Sequence, residues 1–180
     1  EYRRQRQMCI RDRFYGGPGM DLKQQLETIY IAGRASASLG TILGMHLQQV
    51  AALARYGNDA LKDEVFPRLA EGAVYLGSVT TEAGRGGDLR ASNYPLVPVR
   101  AGLKVTRDAP IVTGAQEADA FLVKMADPAN GNSLVYVPRD MAEIKVSESS
   151  WDSLGMRESA SMAMKIDAVI PKHCLLYTSD

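Results

Sequence analysis

From Thr80 to Leu89 the chain reads Thr-Thr-Glu-Ala-Gly-Arg-Gly-Gly-Asp-Leu, a run whose residue types and spacing could do chemistry. Gly84, Gly86 and Gly87 let a backbone approach a ligand closely and turn its N–H groups toward an anion. Arg85 adds a planar fork of donors that matches phosphate oxygens. Such a set could hold a phosphorylated cofactor, although a glycine-rich turn leaving a strand has the same composition. The loop is not a Walker motif, since Gly-Lys-Ser/Thr is missing from it. Nor is it a dinucleotide fingerprint, because no helical pattern follows.

Other polar residues read more plainly. His46 lies on an apolar helical stripe and reads as a satisfied core histidine. Asp63, Glu64 and Glu71 read as solvated charges on helix faces, and Glu82 as a local structural acid. Met156, Met162 and Met164 read as packing.

The elements that must position these residues follow from periodicity. Leu22, Leu26, Ile29 and Tyr30 share one face of a helix from Asp21 to about Arg34. Leu39, Ile42, Leu43, His46, Leu47, Val50 and Leu53 form the stripe of a second helix, ended by Gly57 at about Tyr56. Asn58 caps a third helix from Asp59 to about Val65, and Pro67 is expected to break it. After Ala73 the period falls to two. Strands are expected at Val74–Thr81, Tyr94–Val99, Pro110–Thr113, Ala120–Met125, Ser133–Val137, Glu143–Ser147 and Met162–Ile170. Strands in succession, with no helix longer than two turns between them, argue for an antiparallel sandwich or barrel and against a parallel doubly wound sheet. The fold class is α+β, with N-terminal α-helices followed by an antiparallel β-sandwich or barrel domain.

Composition bounds the function. The chain has 180 residues, 46% of them hydrophobic, and 21 basic residues balance 21 acidic ones, so nucleic acid is not an expected partner. No membrane span is expected, since the most apolar stretch, Ile29 to Ala54, is interrupted by Arg34, His46, Gln48 and Gln49. Cys9 and Cys174 lack zinc or redox spacing, which makes a reducing cytoplasm the default compartment.

Four segments in order resemble the acyl-CoA dehydrogenase family. Thr81-Glu82-Ala83-Gly84-Arg85-Gly86-Gly87-Asp88 is similar to its Thr-Glu-Pro-Gly-x-Gly-Ser-Asp signature, and Ile111-Val112-Thr113 with Ala118-Asp119 to its aromatic-Ile-Thr and Ala-Asp elements. Trp151-Asp152-Ser153-Leu154-Gly155-Met156-Arg157-Glu158-Ser159, a strand and Ile170-Pro171 resemble the family's Trp-Asp-x-x-Gly-x-Arg-x-Ser segment and Val-Pro element. Upstream, Tyr56-Gly57 and Phe66-Pro67-Arg68-Leu69-Ala70-Glu71-Gly72 look like its Tyr-Gly and Leu-Pro-x-Leu-Ala-x-Gly elements.

The resemblance implies FAD and α,β-dehydrogenation of an acyl-CoA thioester. It also implies an electron-transferring flavoprotein as acceptor, a homotetramer, and a C-terminal helical domain, missing here, that carries the catalytic glutamate. It assigns flavin contacts to Val79, Thr80, Thr81, Ile111, Val112 and Thr113. Gly86 and Gly87 are set against the pyrophosphate, and Gly87 also against the thioester. It implies structural roles for Trp151, as a core anchor, and Arg157, as a carboxylate's or carbonyl's partner. Departures from the pattern are Ala83 for Pro, Gly87 for Ser, Ile111 for the stacking aromatic, and Thr106-Arg107-Asp108-Ala109 for Asn-Gly-x-Lys, a conformational anchor. Gly87 and Ile111 keep open a flavin monooxygenase on the same scaffold; a helix-plus-barrel interaction module without cofactor would require the motif order to be coincidence.

The two ends read differently. RQRQMCIRDR near the start and CLLYTSD at the end resemble translated sequencing-adapter sequence. The expected organisation is therefore a non-native tail over 1–13, a partial helical domain over 14–73, a β domain over 74–173, and a second tail over 174–180. Both tails are expected to bury little.

Overall fold

The computed structural model describes residues 14–84, 91–128, 131–148 and 152–176. Among the described residues three helices come before the strands: α1 (Leu22–Ala35), α2 (Ala37–Tyr56) and α3 (Asp59–Ala70). Each has a side-chain cap. Asp21 and Gln24 form a reciprocal capping box on α1, Ser36 accepts from Leu39 N at 3.3 Å, and Asn58 accepts from Leu61 N at 3.0 Å. Helices α1 and α2 cross at glycines: a Cβ on Gly40 would stand 2.7 Å from the Gly33 Cα.

Two sequence expectations fail here. Helix α3 does not break at Pro67 but runs through it to Ala70. The carbonyl that Pro67 leaves without a donor belongs to exposed Asp63, where water can serve it, while buried Leu61, Val65 and Phe66 anchor the turn. Nor is the Leu39–Leu53 stripe of α2 its buried face throughout. Leu39 is exposed, whereas Ser38, Gly40 and Gln49 are buried with Leu53. One side of α2 is taken by the close glycine crossing, which selects small residues over large ones.

Eight strands follow: β1 (Leu76–Val79), β2 (Val97–Val99), β3 (Gly102–Val112), β4 (Ala120–Asp127), β5 (Gly131–Pro138), β6 (Ala142–Val146), β7 (Met162–Ile170) and β8 (Leu175–Leu176). They form two four-stranded sheets, ordered β1-β4-β5-β8 and β2-β3-β7-β6. All strand pairs are antiparallel except β1–β4, which is parallel with Leu76 opposite Ala120. The core lies between the sheets and includes Leu76, Val79, Val105, Phe121, Val123, Val135, Ile166 and Ile170. Helices longer than one turn are absent from the described residues after Ala70.

The strand β8 overturns one expectation. Cys174 and Leu176 are buried, and Leu175–Leu176 pair with Val135 and Leu134. The expected low burial of residues 174–180 is therefore wrong for Cys174–Leu176, because β5 offers an edge that this apolar pair completes. Residues 1–13 and 177–180 lie outside the described residues.

Candidate functional site

Strand β1 is buried along its whole length and delivers the chain to Thr80 and Thr81 at its end. Strand β3, from the other sheet, ends at Ile111 and Val112 beside it. The Thr81 hydroxyl donates to the Ile111 carbonyl oxygen at 2.7 Å, so the two segments that the sequence pairs are joined directly. Ile111 is 44% exposed, Thr81 and Thr113 are half-buried, and Val112 is buried. Gly86 and Gly87 lie outside the described residues, as does Trp151.

Next to this bond sits a buried ionic cluster. The Arg107 side chain, on β3, is fully buried; its Nη2 donates to the Thr81 carbonyl at 2.8 Å and its Nη1 stands 2.8 Å from Glu82 Oε1. Its guanidinium lies 4.3 Å from the Tyr94 ring centroid. Asn93 N donates to Glu82 Oε2 at 2.9 Å. Lys124 Nζ stands 3.8 Å from Glu82 Oε1 and donates to the Ala91 carbonyl at 2.7 Å. Burial pushes the Glu82 carboxyl up, but hydrogen bonds from Ser92 and Asn93 and the charge of Arg107 outweigh it and hold the group below its ordinary range. Glu82 is therefore a structural anion, as its place in the sequence suggests, rather than a proton acceptor for a substrate.

A second cluster supports Thr113. Its hydroxyl lies 3.2 Å from that of Ser161, which lies 2.9 Å from that of Ser159. Gly114 N donates to the Ser159 carbonyl at 3.0 Å. Gly114 has φ +65°, and a Cβ there would meet the Tyr75 hydroxyl at 2.3 Å. His46 Nδ1 accepts from Leu76 N at 3.1 Å, and burial lowers the affinity of the ring for a second proton. It is a satisfied histidine at the foot of β1, as expected. Arg157 finds a carboxylate, that of Asp152, 3.3 Å away.

Sequence reading missed Arg107, Lys124, Tyr94, Ser159 and Ser161. The signal for Arg107 was its phase, because it alternates with buried Val105 and Ala109 on the inward face of β3. A charge on that face must find a partner. Thr106–Ala109 read as the loss of an anchor, yet this strand face still carries a buried cation.

Among the described residues, no group of three or more His, Cys, Asp or Glu side chains could hold a metal ion. No described helix is long and apolar enough to cross a membrane. No curated protein sequence matches the chain. Residues 9–73 match the family model of the acyl-CoA dehydrogenase N-terminal domain. Among solved structures, acyl-CoA dehydrogenase from Geobacillus kaustophilus is 22% identical over 93% of this chain and 46% of its own, with a TM-score of 0.79. FMN-bound TdsC from Paenibacillus sp. A11-2 is 25% identical over 92% and 42%, with a TM-score of 0.78. The FAD complex of PigA is 22% identical over 79% and 39%, with a TM-score of 0.68. The chain spans less than half the length of each. The family model thus matches the helical part of the chain, and the helices followed by antiparallel-rich sheets share their fold with the N-terminal and middle β domains of acyl-CoA dehydrogenase.

Proposed function

We propose that this chain supplies the flavin-facing part of an FAD-dependent oxidoreductase that performs α,β-dehydrogenation of an acyl-CoA thioester. The observation that carries the reading is the direct bond from Thr81 to the Ile111 carbonyl, which joins the ends of β1 and β3. The donors there fit a flavin. A half-buried hydroxyl stands at Thr113, the peptide groups of Val79 to Thr81 line the strand end, and Ile111 and Val112 give an apolar flank. The flavin, when bound, supplies a two-electron acceptor for the hydrogen leaving the β-carbon.

The chain's own residues bind and orient. Val79, Thr80 and Thr81 would present donors to the pyrimidine edge of the ring, where negative charge grows on reduction. Thr113 would hold the central edge, with Ser161 fixing its hydroxyl. Gly86 and Gly87 would lie against the pyrophosphate, and Gly87 against the thioester. The α-proton would pass to a glutamate outside this sequence. An electron-transferring flavoprotein as acceptor, a homotetramer and a cytoplasmic location belong to the same reading.

Ile111 favours a second reading, since an aliphatic side chain stands where the family stacks an aromatic. On it, the same scaffold binds reduced flavin and activates oxygen. The test is the visible spectrum of the purified full-length protein under anaerobic conditions. Bleaching of a bound, FAD-type chromophore by acyl-CoA is expected, and Thr113→Val should slow it at least about tenfold. A colourless protein, or unchanged flavin content and reduction in Thr113→Val, overturns the site. Oxygen uptake by externally reduced flavin, with no bleaching by acyl-CoA, supports the second reading instead.

A further inference from the structure

We propose that Arg107 is a positioning residue for the flavin site, holding the Thr81–Glu82 peptide from behind so that the donors at the end of β1 keep their aim. The inference rests on the proposed flavin reading and deepens it. Two holders act on Thr81, and both come from β3. The Ile111 carbonyl accepts its hydroxyl at 2.7 Å, and the Arg107 Nη2 donates to its carbonyl at 2.8 Å. The same guanidinium reaches Glu82 Oε1 with Nη1 at 2.8 Å, so one rigid fork spans two consecutive residues. A fork that grips a carbonyl and the next residue's carboxylate fixes the orientation of the peptide plane between them. Its own place is set by the Tyr94 ring, 4.3 Å from the guanidinium carbon.

A purely charge-balancing role can be separated from this one. Charge balance needs only a cation near Glu82, which Lys124 also approaches at 3.8 Å. Aim needs the second arm on the Thr81 carbonyl, and no other side chain is seen to donate to it among the described residues. A lysine at position 107 keeps the charge and lacks the fork. A Glu82→Gln/Arg107→Met pair removes one buried charge of each sign together with the fork, and leaves Lys124 donating to the Ala91 carbonyl.

The experiment uses the full-length protein. For the wild type, Arg107→Lys, Arg107→Met and Glu82→Gln/Arg107→Met, three quantities are measured. These are the melting temperature of the apoprotein, the Kd for added FAD from fluorescence quenching, and the midpoint potential of the bound flavin. Arg107→Met should lose both stability and FAD affinity. Arg107→Lys and the double variant should melt close to the wild type, yet bind FAD about tenfold more weakly and hold it at a more negative potential. That split is expected because misaimed donors stabilise the reduced, anionic ring less. If Arg107→Met does not fold, the other two variants carry the test. FAD affinity and potential that recover with the melting temperature in both variants overturn the inference and leave the flavin site standing. A wild type that takes up no flavin overturns the site reading and this inference with it.

Discussion

Gly114 and Tyr75 constrain each other beside Thr113. The glycine occupies a left-handed conformation, φ +65°, and the Tyr75 ring fills the space a side chain would need, with its hydroxyl 2.3 Å and its Cε1 2.7 Å from an added Cβ. That hydroxyl is buried, finds no hydrogen-bond partner among the described residues, and burial raises its pKa. Gly114→Ala should therefore cost about 2–4 kcal/mol in urea unfolding, the sum of a strained φ and an overpacked contact. Tyr75→Phe alone should be neutral or stabilising by up to about 1 kcal/mol, since it deletes an unpaired polar group. Combined, Tyr75→Phe should recover part of the alanine's cost, because the ring carbons still crowd the site. A Tyr75→Phe variant destabilised by more than about 1 kcal/mol would show that the phenol has a partner after all.

At the scale of elements, the strand most legible in the sequence was β7, whose apolar alternation from Met162 to Ile170 has both ends where the structure puts them. The other strands were placed with shifted ends, and β3 was seen only at its last residues. Lys104, Thr106, Arg107 and Asp108 diluted its pattern, yet the burial alternates along most of it. Periodicity registers apolar residues, and a buried arginine breaks the count while obeying the phase. The meeting of Thr81 with the segment that starts at Ile111 was legible because motifs carried both stretches. Ser159 and Ser161 were not, since hydroxyls at the end of a short 3-10 turn and just after it have no pattern until tertiary packing brings them to Thr113. The two-residue β8 escaped for a different reason: two leucines are too short a run to show a period. Its burial makes a prediction at this scale. Leu176→Ala should destabilise the chain by about 2–4 kcal/mol in chemical unfolding, since Leu176 is fully buried against β5. An effect below about 0.5 kcal/mol would mean that β8 does not hold the sheet edge in solution.

For the whole molecule, the helical layer leaves an apolar surface uncovered. No residue of α1 is buried, and Leu22, Leu26, Tyr30 and Ile31 are each more than half exposed. A patch of this kind favours self-association. The pair Leu26→Lys/Ile31→Lys should raise the concentration at which the 180-residue chain begins to scatter light, while moving the melting temperature by no more than about 2 °C. A large fall in melting temperature would mean that these side chains do pack in solution.

The order in which strands become available carries a consequence for how the chain is made. Strand β3 can hairpin with β2 soon after both leave the ribosome, but its other edge waits for β7, and Leu103 is not paired with Ile170 until nearly the whole chain has emerged. Likewise β1 finds its parallel neighbour only when Ala120–Val123 has been synthesised. At ordinary elongation rates the open edge of β3 persists on the order of several seconds. While that edge is open, Lys104, Arg107 and Asp108 along β3 are charges of the kind that oppose pairing with another chain.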